Sequence, residues 1–309
     1  MQAPPKRWKK RQQLKPDVIA ELQAALADLK LTPLLLQLLA NRDVINPQAL
    51  HAEPEDDHTA LPPALTVEGM HAAAAAFLDP IHTPLPSPLT IKGMAAAVDR
   101  IAQAIQGKET IAVYGDYDAD GVTSTVLLTQ ALRAWGANVI IRVPHRKREG
   151  YGLNRAALDE LAKQGATLVI TVDCGISNVE EVTHGQELGL DLIVTDHHTP
   201  PGTVPNTILI NPKLGTDSAA FADLTGVGVA HQVVRALVER LGRPPSLRNN
   251  DLLELVAIGT VADIADLKGA NRTLVALGIQ CLRKTRRPGL LALLAAASLK
   301  PELISTHTI

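Results

Sequence analysis

The groups best suited to chemistry are Asp116, Asp118 and Asp120, three carboxylates at alternate positions of the stretch TIAVYGDYDADGVTST. Because like charges this close repel one another, the cluster would lower stability unless a cation lay among the carboxylates. Mg²⁺ and Mn²⁺ prefer hard oxygen ligands of this kind. Aspartate is also a common turn and helix-capping residue. Taken alone, the stretch fits a metal site and a solvated acidic turn equally well.

Two further stretches place acidic or imidazole groups after apolar runs. Asp173 lies in TVDCG, where a lone aspartate before glycine is more often a turn residue. The letters TDHH place Asp196, His197 and His198 in succession. Neighbouring histidines on a regular strand would face opposite ways, but a turn at a strand end can bring both into one cleft. One imidazole could then bind a metal while the other stays available to substrate, and a chance polar turn is the alternative.

Three weaker features complete the candidate set. Asp263 ends the apolar helical segment GTVAD. The segment VPHRKREGYG, which contains Arg146 and Tyr151, is suited to gripping phosphate, and a solvated basic loop explains it equally well. The glycines of LTGVGVA at 224–230 could offer backbone amides to a phosphate at a helix start. Because the segment lacks the strand–GxGxxG context of a dinucleotide site, we expect it to serve close packing.

Alternating strand and helix signals must position these groups. Apolar strands are predicted at Ile111–Gly115, Asn138–Val143, Thr167–Val172, Leu192–Thr195 and Thr207–Ile210. Helices are predicted between them at Val122–Trp135, Arg155–Gln164 and Asn178–Leu188, and later at about 226–241, 249–262, 271–284 and 288–297. This order predicts an α/β fold, a mostly parallel sheet with helices on both faces followed by a helical segment. The aspartates and histidines would meet beyond the carboxyl ends of the strands, where they could build a two-metal site for phosphoryl transfer.

Length and composition limit the remaining possibilities. The 309 residues allow an extension at 1–90, helical over 16–50 and loop-rich afterwards, before a main domain at 91–309 with its sheet core at about 110–212. The net charge of −2 requires any nucleic-acid-binding surface to be local, and 2% aromatic residues argue against a base-stacking platform. Two cysteines suit a reducing cytoplasm, and no apolar run approaches the roughly 18 residues of a membrane span. The basic start MQAPPKRWKKRQQLK is interpreted as a solvated terminus in preference to a nucleic-acid-binding arm.

Taken in order, the segments resemble the DHH phosphoesterase superfamily, and most of all its exonucleases specific for single-stranded DNA. The match covers about 85–297 and comprises VYGDYDADGVTST, VPHRKREGYGLN, TVDCGISN, IVTDHHTP, INP, LTGVGVA, GTVADIADL with NRTLV, and RPGLLALL. DHH alone is a weak signal, whereas eight blocks in register are specific. The VPHRKREGYGL and LTGVGVA blocks favour the exonucleases over the oligoribonucleases, cyclic-dinucleotide phosphodiesterases and pyrophosphatases of the superfamily.

The resemblance implies a role for each candidate residue. The activity would be the removal of nucleotides from the 5′ end of single-stranded DNA, with two ions of Mn²⁺ or Mg²⁺, in recombination and repair. The implied metal ligands are Asp116, Asp118, Asp120, Asp173, His197 and Asp263. In the implied catalytic pair, His198 would contact the scissile phosphate, and Asp196 would orient the two histidines without contacting the metal or the substrate. Arg146 and Tyr151 would contact the nucleic-acid backbone.

The resemblance also implies a DHH-associated domain and an OB-fold-like domain that help hold DNA. The sequence ends at Ile309 before either, so we expect a natural truncation or a fragment that binds metal and has weak or undetectable processive activity. The resemblance also implies a monomer. Two alternatives stay open: a DHH phosphoesterase for short oligonucleotides or cyclic dinucleotides, and a non-catalytic nucleic-acid-binding module. The full acidic set argues against the module, which has no need of five or six metal ligands.

Overall fold

A computed structural model of the chain describes residues 13–52 and 65–309, without the side chains of residues 249–251. Most of the basic amino-terminal segment interpreted above, and the acidic stretch EPEDD, lie outside the described residues. The chain forms two compact units, Met1–Thr83 and Pro84–Ile309. The division predicted from the sequence, between residues 90 and 91, stays a prediction about domain organisation.

The first unit is a small helical assembly. Its helices are α1 (Pro16–Ala25), α2 (Pro33–Asn41) and α3 (Val67–Leu78). Leucines of α1 and α2 pack with Met70 of α3 into a separate apolar core. The predicted loop-rich stretch therefore contains a regular helix, because an alanine-rich segment with high helix propensity follows Thr66, whose hydroxyl accepts a hydrogen bond from the Gly69 amide at 3.0 Å.

The second unit is built on a five-stranded sheet in which all neighbouring strands are parallel. Its strands are β1 (Thr110–Gly115), β2 (Asn138–Arg142), β3 (Leu168–Val172), β4 (Asp191–Thr195) and β5 (Ile208–Ile210). The spatial order is β2-β1-β3-β4-β5. The chain therefore leaves β1 in one direction to reach β2 and returns across the sheet to reach β3. Open α/β sheets bind ligands in the crevice at such a switch point.

Helices cover both faces of the sheet, as the sequence predicts. The helices of this unit are α4 (Met94–Gln106), α5 (Ala119–Ala134), α6 (Arg155–Lys163), α7 (Val179–Glu187), α8 (Gly226–Leu241), α9 (Asn249–Ala262), α10 (Gly269–Leu282) and α11 (Pro288–Ala296). Ile111 and Val113 of β1 pack into the larger core with α4, α5 and α8. Ala112 and Tyr114 point the other way, into the core formed with α6 and α7. This alternation is the period-two pattern of a strand buried on both faces.

The strand register explains why acidic groups meet at one edge. Gly115 at the end of β1 pairs with Val172 of β3, and Val172 pairs with Thr195 of β4. The next residue in each chain segment is an aspartate, and these residues are Asp116, Asp173 and Asp196. Parallel pairing in this register places the three carboxylates side by side at the carboxyl edge of the sheet.

Helix α5 starts three residues earlier than predicted. Asp118 is its N-cap, since a carboxylate oxygen accepts a hydrogen bond from the Gly121 amide at 2.9 Å. Asp120 consequently lies in the first helical turn, buried, instead of in a loop before the helix. No helix in the described ranges is both long and apolar enough to cross a membrane.

Candidate metal centre

The predicted metal ligands converge at the carboxyl edge of the sheet. They form three overlapping groups, in each of which one ligand atom per residue lies within 4.8 Å of the others. The groups are Asp116, Asp118 and Asp173, then Asp120, His197 and Asp263, and finally Asp173, His197 and His198. The six predicted ligands thus divide into two triads, and Asp173 belongs both to the first triad and to the group with the histidines.

His197 connects the two triads. Its Nε2 atom lies 3.1 Å from Asp173 Oδ1, 3.8 Å from Asp120 Oδ2 and 3.9 Å from Asp263 Oδ2. Burial lowers the pKa of His197, which favours the neutral imidazole. The neutral ring is the form that binds metal ions through a nitrogen lone pair.

The amino terminus of α8 holds Asp120 in place. The backbone amide of Gly226 donates to Asp120 Oδ2 at 2.6 Å, and the amide of Val227 donates to Oδ1 at 2.9 Å. A Cβ atom at Gly226 would lie 2.5 Å from the Cβ of Asp173, so only glycine allows this approach. The expectation that LTGVGVA serves close packing is confirmed, and its amides bind a carboxylate of the protein itself.

Burial leaves several carboxylates in an unfavourable state without a cation. It raises the pKa of Asp116 and of Asp120, and it raises the pKa of Asp173 to about 9 with the help of the neighbouring Asp118 charge. Among the described residues, Asp116 Oδ1 and Asp173 Oδ1 are buried and accept no hydrogen bond. Unsatisfied buried carboxylate oxygens beside further aspartates and an imidazole match the ligands of a hard divalent cation. The residues present therefore fit the metal that the sequence predicts.

The two uses of aspartate weighed from the sequence coexist here. Asp118 caps α5 with one oxygen and also belongs to the first triad. Asp173 occupies the tight turn after β3 with φ of 63°, a left-handed conformation that is uncommon outside glycine. A strained backbone held at a group of functional side chains is the arrangement expected of a site that must be preformed.

Asp196 acts on the histidines and belongs to none of the three ligand groups found among the described residues. Its Oδ1 accepts from the amide of His197 at 2.7 Å, and from the amide and Nδ1 of His198 at 3.0 and 2.8 Å. Its Oδ2 accepts from the amide of Ile176 at 2.9 Å. Although burial alone would raise the pKa of Asp196, these hydrogen bonds lower it, so the carboxylate is charged. Asp196 is a positioning residue for the pair.

His198 is the accessible member of the histidine pair, with 46% of its side chain exposed. The hydrogen bond from Asp196 raises the pKa of His198 to about 9, and burial only partly opposes it. The hydroxyl of Tyr151 lies 3.1 Å from His198 Nδ1 and 3.3 Å from the carbonyl oxygen of Asp173. Tyr151 therefore belongs to the site, where it braces the ring that is open to solvent.

Arg146 lies beside the site without joining either triad. Its guanidinium stands 5.2 Å from the centre of the Tyr117 ring, and its charge partly opposes the rise in the pKa of Asp116 that burial causes. Tyr117 was missed by the sequence reasoning because a tyrosine between two aspartates carries no signal of its own. The amides of Gly226 and Val227 were also missed as partners of Asp120, although the glycine-rich helix start was the available signal.

The fold and the site define a class of domain before any particular relative is considered. Residues 110–260 match the family described as "DHH family, N-terminal domain". The match confirms the superfamily resemblance and runs from β1 into α9, covering every residue of the two triads except Asp263.

The particular proteins that the chain resembles are RecJ exonucleases. It is 45% identical over 195 residues to the "Single-stranded-DNA-specific exonuclease RecJ" of Bacillus subtilis, covering 63% of this chain and 24% of the relative. The protein of the same name from Thermus thermophilus is 44% identical over 179 residues, covering 58% of this chain and 26% of the relative. The chain thus spans about a quarter of the length of these two curated relatives.

Solved RecJ structures share the architecture. A crystal structure of exonuclease RecJ bound to manganese is 40% identical, with a TM-score of 0.64 over 71% of this chain and 55% of that chain. RecJ from Thermus thermophilus in complex with Mn²⁺ is 32% identical, with a TM-score of 0.66 over 94% of this chain and 37% of that chain. Its complex with Mg²⁺ has a TM-score of 0.56 at 29% identity.

Proposed function

We propose that the chain is a metal-dependent exonuclease that hydrolyses phosphodiester bonds of single-stranded DNA from the 5′ end. The observation that carries the proposal is the pair of triads at one sheet edge, joined where His197 Nε2 lies 3.1 Å from Asp173 Oδ1. Two separate ligand groups so close together fit two ions, which is the arrangement of many phosphoryl-transfer sites. The likeness to RecJ exonucleases of Bacillus subtilis and Thermus thermophilus supports DNA as the substrate.

Each triad would hold one ion of Mn²⁺ or Mg²⁺. The first ion would take Asp116, Asp118 and Asp173 as ligands, and the second would take Asp120, His197 and Asp263. Such ions lower the pKa of water and neutralise charge on the reacting phosphate. The amides of α8 fix the carboxylate of Asp120 before any metal binds, so little reorganisation is required of that ligand.

The chain's own residues would bind and protonate the substrate. A pKa of about 9 keeps His198 protonated at neutral pH, and its Nδ1 is already engaged by Asp196. The remaining Nε2–H is thus available to donate to a phosphate oxygen or to the leaving 3′ oxygen. Tyr151 would keep the ring in this orientation, and Arg146 would attract the phosphate backbone at the entrance.

The cellular setting is proposed from the same likeness. DNA recombination and repair intermediates would supply single strands with 5′ ends, and proteins of those processes are the expected partners. A monomer in a reducing cytoplasm is consistent with the two cysteines, neither of which forms a disulfide, Cys174 being buried. Light scattering on purified protein would test the monomer, and a dimer mass would contradict it.

The test compares the wild type with Asp118→Asn on 5′-labelled single-stranded DNA with Mn²⁺. Asparagine can still cap α5 through the Gly121 amide, so the variant loses a ligand charge and not the helix start. Asp217→Asn, at an exposed position of the same unit, is the matched control. We expect 5′-mononucleotides from the wild type and the control, and a rate lowered at least a hundredfold in Asp118→Asn.

Three results would contradict parts of the proposal. Equal release by Asp118→Asn would exclude the first triad from the reaction. Release of mononucleotides from 3′-labelled strands ahead of their release from 5′-labelled strands would contradict the polarity. Hydrolysis limited to short oligonucleotides or cyclic dinucleotides would show that these smaller molecules, and not long DNA strands, are the substrate.

A further inference from the structure

Two adjoining cavities lie at the far end of the helical layer from the metal centre. Their volumes are about 620 and 510 Å³. They share Leu247, Arg248, Glu254 and Arg286 in their walls, and together we call them the basic cleft. The cleft is formed by the carboxyl end of α5, the amino-terminal half of α9, the end of α10 and the connections 243–248 and 283–287.

Cations predominate in the walls of the basic cleft. The basic side chains are Arg133, Arg243, Arg248, Lys284, Arg286 and Arg287. Among the described lining residues the single carboxylate is Glu254, which accepts a hydrogen bond from Arg287 Nε at 2.8 Å. That carboxylate is already paired with Arg287, and the cations Arg133, Arg243, Lys284 and Arg286 lie together in the same concave surface, where like charges repel one another. In a chain whose net charge is −2, such a concentration favours an anionic ligand.

The lining favours phosphate groups as that ligand. Arginine guanidinium groups bind phosphate oxygens through two parallel hydrogen bonds. No aromatic ring is present among the described lining residues, so the cleft offers no surface on which bases could stack. The chemistry therefore matches a phosphodiester backbone better than it matches a base.

The two long helices of the metal centre also lead to the cleft. Glu254 in the cleft and Asp263 in the second triad lie nine residues apart on α9, a distance of about 14 Å along a helix axis. Asp120 and Arg133 lie thirteen residues apart on α5, or about 20 Å. At about 3.4 Å per stacked nucleotide, these distances correspond to roughly four to six nucleotides.

We propose that the basic cleft is a second binding site for the phosphate groups of a nucleic-acid strand, remote from the bond that is cut. The proposal takes from the proposed function only that the ligand is a nucleic-acid strand. It adds a site that contributes affinity and salt dependence and makes no contact with the reacting phosphate.

The experiment measures the affinity for a fluorescent oligothymidylate by anisotropy in EDTA, across a range of salt concentrations. The test variant is Arg243→Gln/Arg286→Gln, since neither side chain pairs with a carboxylate among the described residues. The matched control is Lys108→Gln/Lys163→Gln, which removes the same charge from exposed positions elsewhere in the unit. Melting temperatures of both variants verify that they fold.

The expected result is specific to the cleft. Each phosphate contact contributes about 0.7 to the slope of log K against log salt concentration for a single strand, so the test variant should lose about 1.4. Its affinity should fall at least tenfold at low salt, while the control keeps the wild-type slope. Hydrolysis of a dinucleotide, which is too short to reach the cleft, should proceed at the wild-type rate.

Several outcomes would overturn the proposal. Equal slopes for the test variant and the wild type would show that Arg243 and Arg286 make no contact with phosphate groups of the strand. Complete competition by inorganic phosphate or a mononucleotide at equal phosphate concentration would identify a small-anion site instead of a strand site. A slower dinucleotide reaction in the test variant would show that the cleft is not remote from the chemistry. Because binding is measured in EDTA, the slope and competition outcomes are independent of whether the chain hydrolyses DNA.

Discussion

Replacing Asp173 by asparagine should stabilise the metal-free protein and reduce its stabilisation by Mn²⁺ to that of one ion. Burial raises the pKa of Asp173 from 3.8 to about 9, so the folded state holds a proton there that the unfolded chain releases above pH 4. At 1.36 kcal/mol per pKa unit, the interval from 3.8 to pH 7 corresponds to about 4 kcal/mol of lost folding stability. Asparagine does not ionise, so about 4 kcal/mol is the largest increase in folding stability that Asp173→Asn can give at pH 7.

The pH dependence gives the sign of the effect. Since the pKa of the folded state is raised, the stability associated with Asp173 is fully present below pH 4 and is lost as the pH rises toward about 9. Thermal melts in EDTA should therefore show wild type and Asp173→Asn converging at acidic pH. At pH 7 the variant should melt higher, by up to roughly 10 °C for a unit of this size.

Metal should narrow the difference. An ion at a hundred times its dissociation constant adds about 2.7 kcal/mol, so two ions add about 5 kcal/mol to the wild type. The variant loses a ligand of the first triad and keeps the second triad intact, so it should gain only about 2.7 kcal/mol. Asp217→Asn, at an exposed position, should follow the wild type throughout. A variant that melts below the wild type in EDTA at every pH would refute the reasoning, because it would show that the Asp173 carboxylate stabilises the metal-free fold.

Three further predictions use the same site. Gly226→Ala should lower the folding stability by about 1–3 kcal/mol, because the new Cβ would lie 2.5 Å from the Cβ of Asp173, and calorimetry should show weaker Mn²⁺ binding. Gly289→Ala, the control, has open space around its Cβ and should not lower the folding stability. Mn²⁺ affinity should rise about tenfold per pH unit for each proton displaced, up to about pH 9, and a flat titration would contradict a protonated Asp173. Asp196→Asn should lower the pKa of His198 from about 9 toward 6.5, which NMR titration of the ring would detect.

Much of the fold was predictable because each strand is a short apolar run followed by polar residues. The five strands and the helices on both faces are found where the sequence places them, with shifts of a few residues at the ends. The start of α5 shifts because Asp118 caps the helix, and the sequence alone gives that residue two equally good roles. The alanine-rich helix α3 was missed, since the prolines around it indicate loops more strongly than alanine indicates a helix.

The residues that could bind metal were predictable from the sequence, but which of them lie together was not. The order of strands places β1 between β2 and β3, and only this order puts Asp116 beside Asp173. Which carboxylates share a triad depends on the turn after β3 and on the approach of α8, contacts between residues more than fifty positions apart. Hydrogen bonds from backbone amides leave no trace in residue type, so the partners of Asp120 could be found only in three dimensions.

The dual use of residues at this edge links folding to function. Asp118 starts α5, Gly226 starts α8, and the amides of α8 bind Asp120, so the two helices cannot be placed without assembling parts of both triads. The remaining carboxylates repel one another when ionised, and the raised pKa of Asp173 means that the metal-free site holds a proton there at neutral pH. Folding therefore prepares the geometry, and a bound cation would displace that proton and offset the repulsion. A substitution that relieves the repulsion should for this reason strengthen the metal-free fold and weaken the site in the same step.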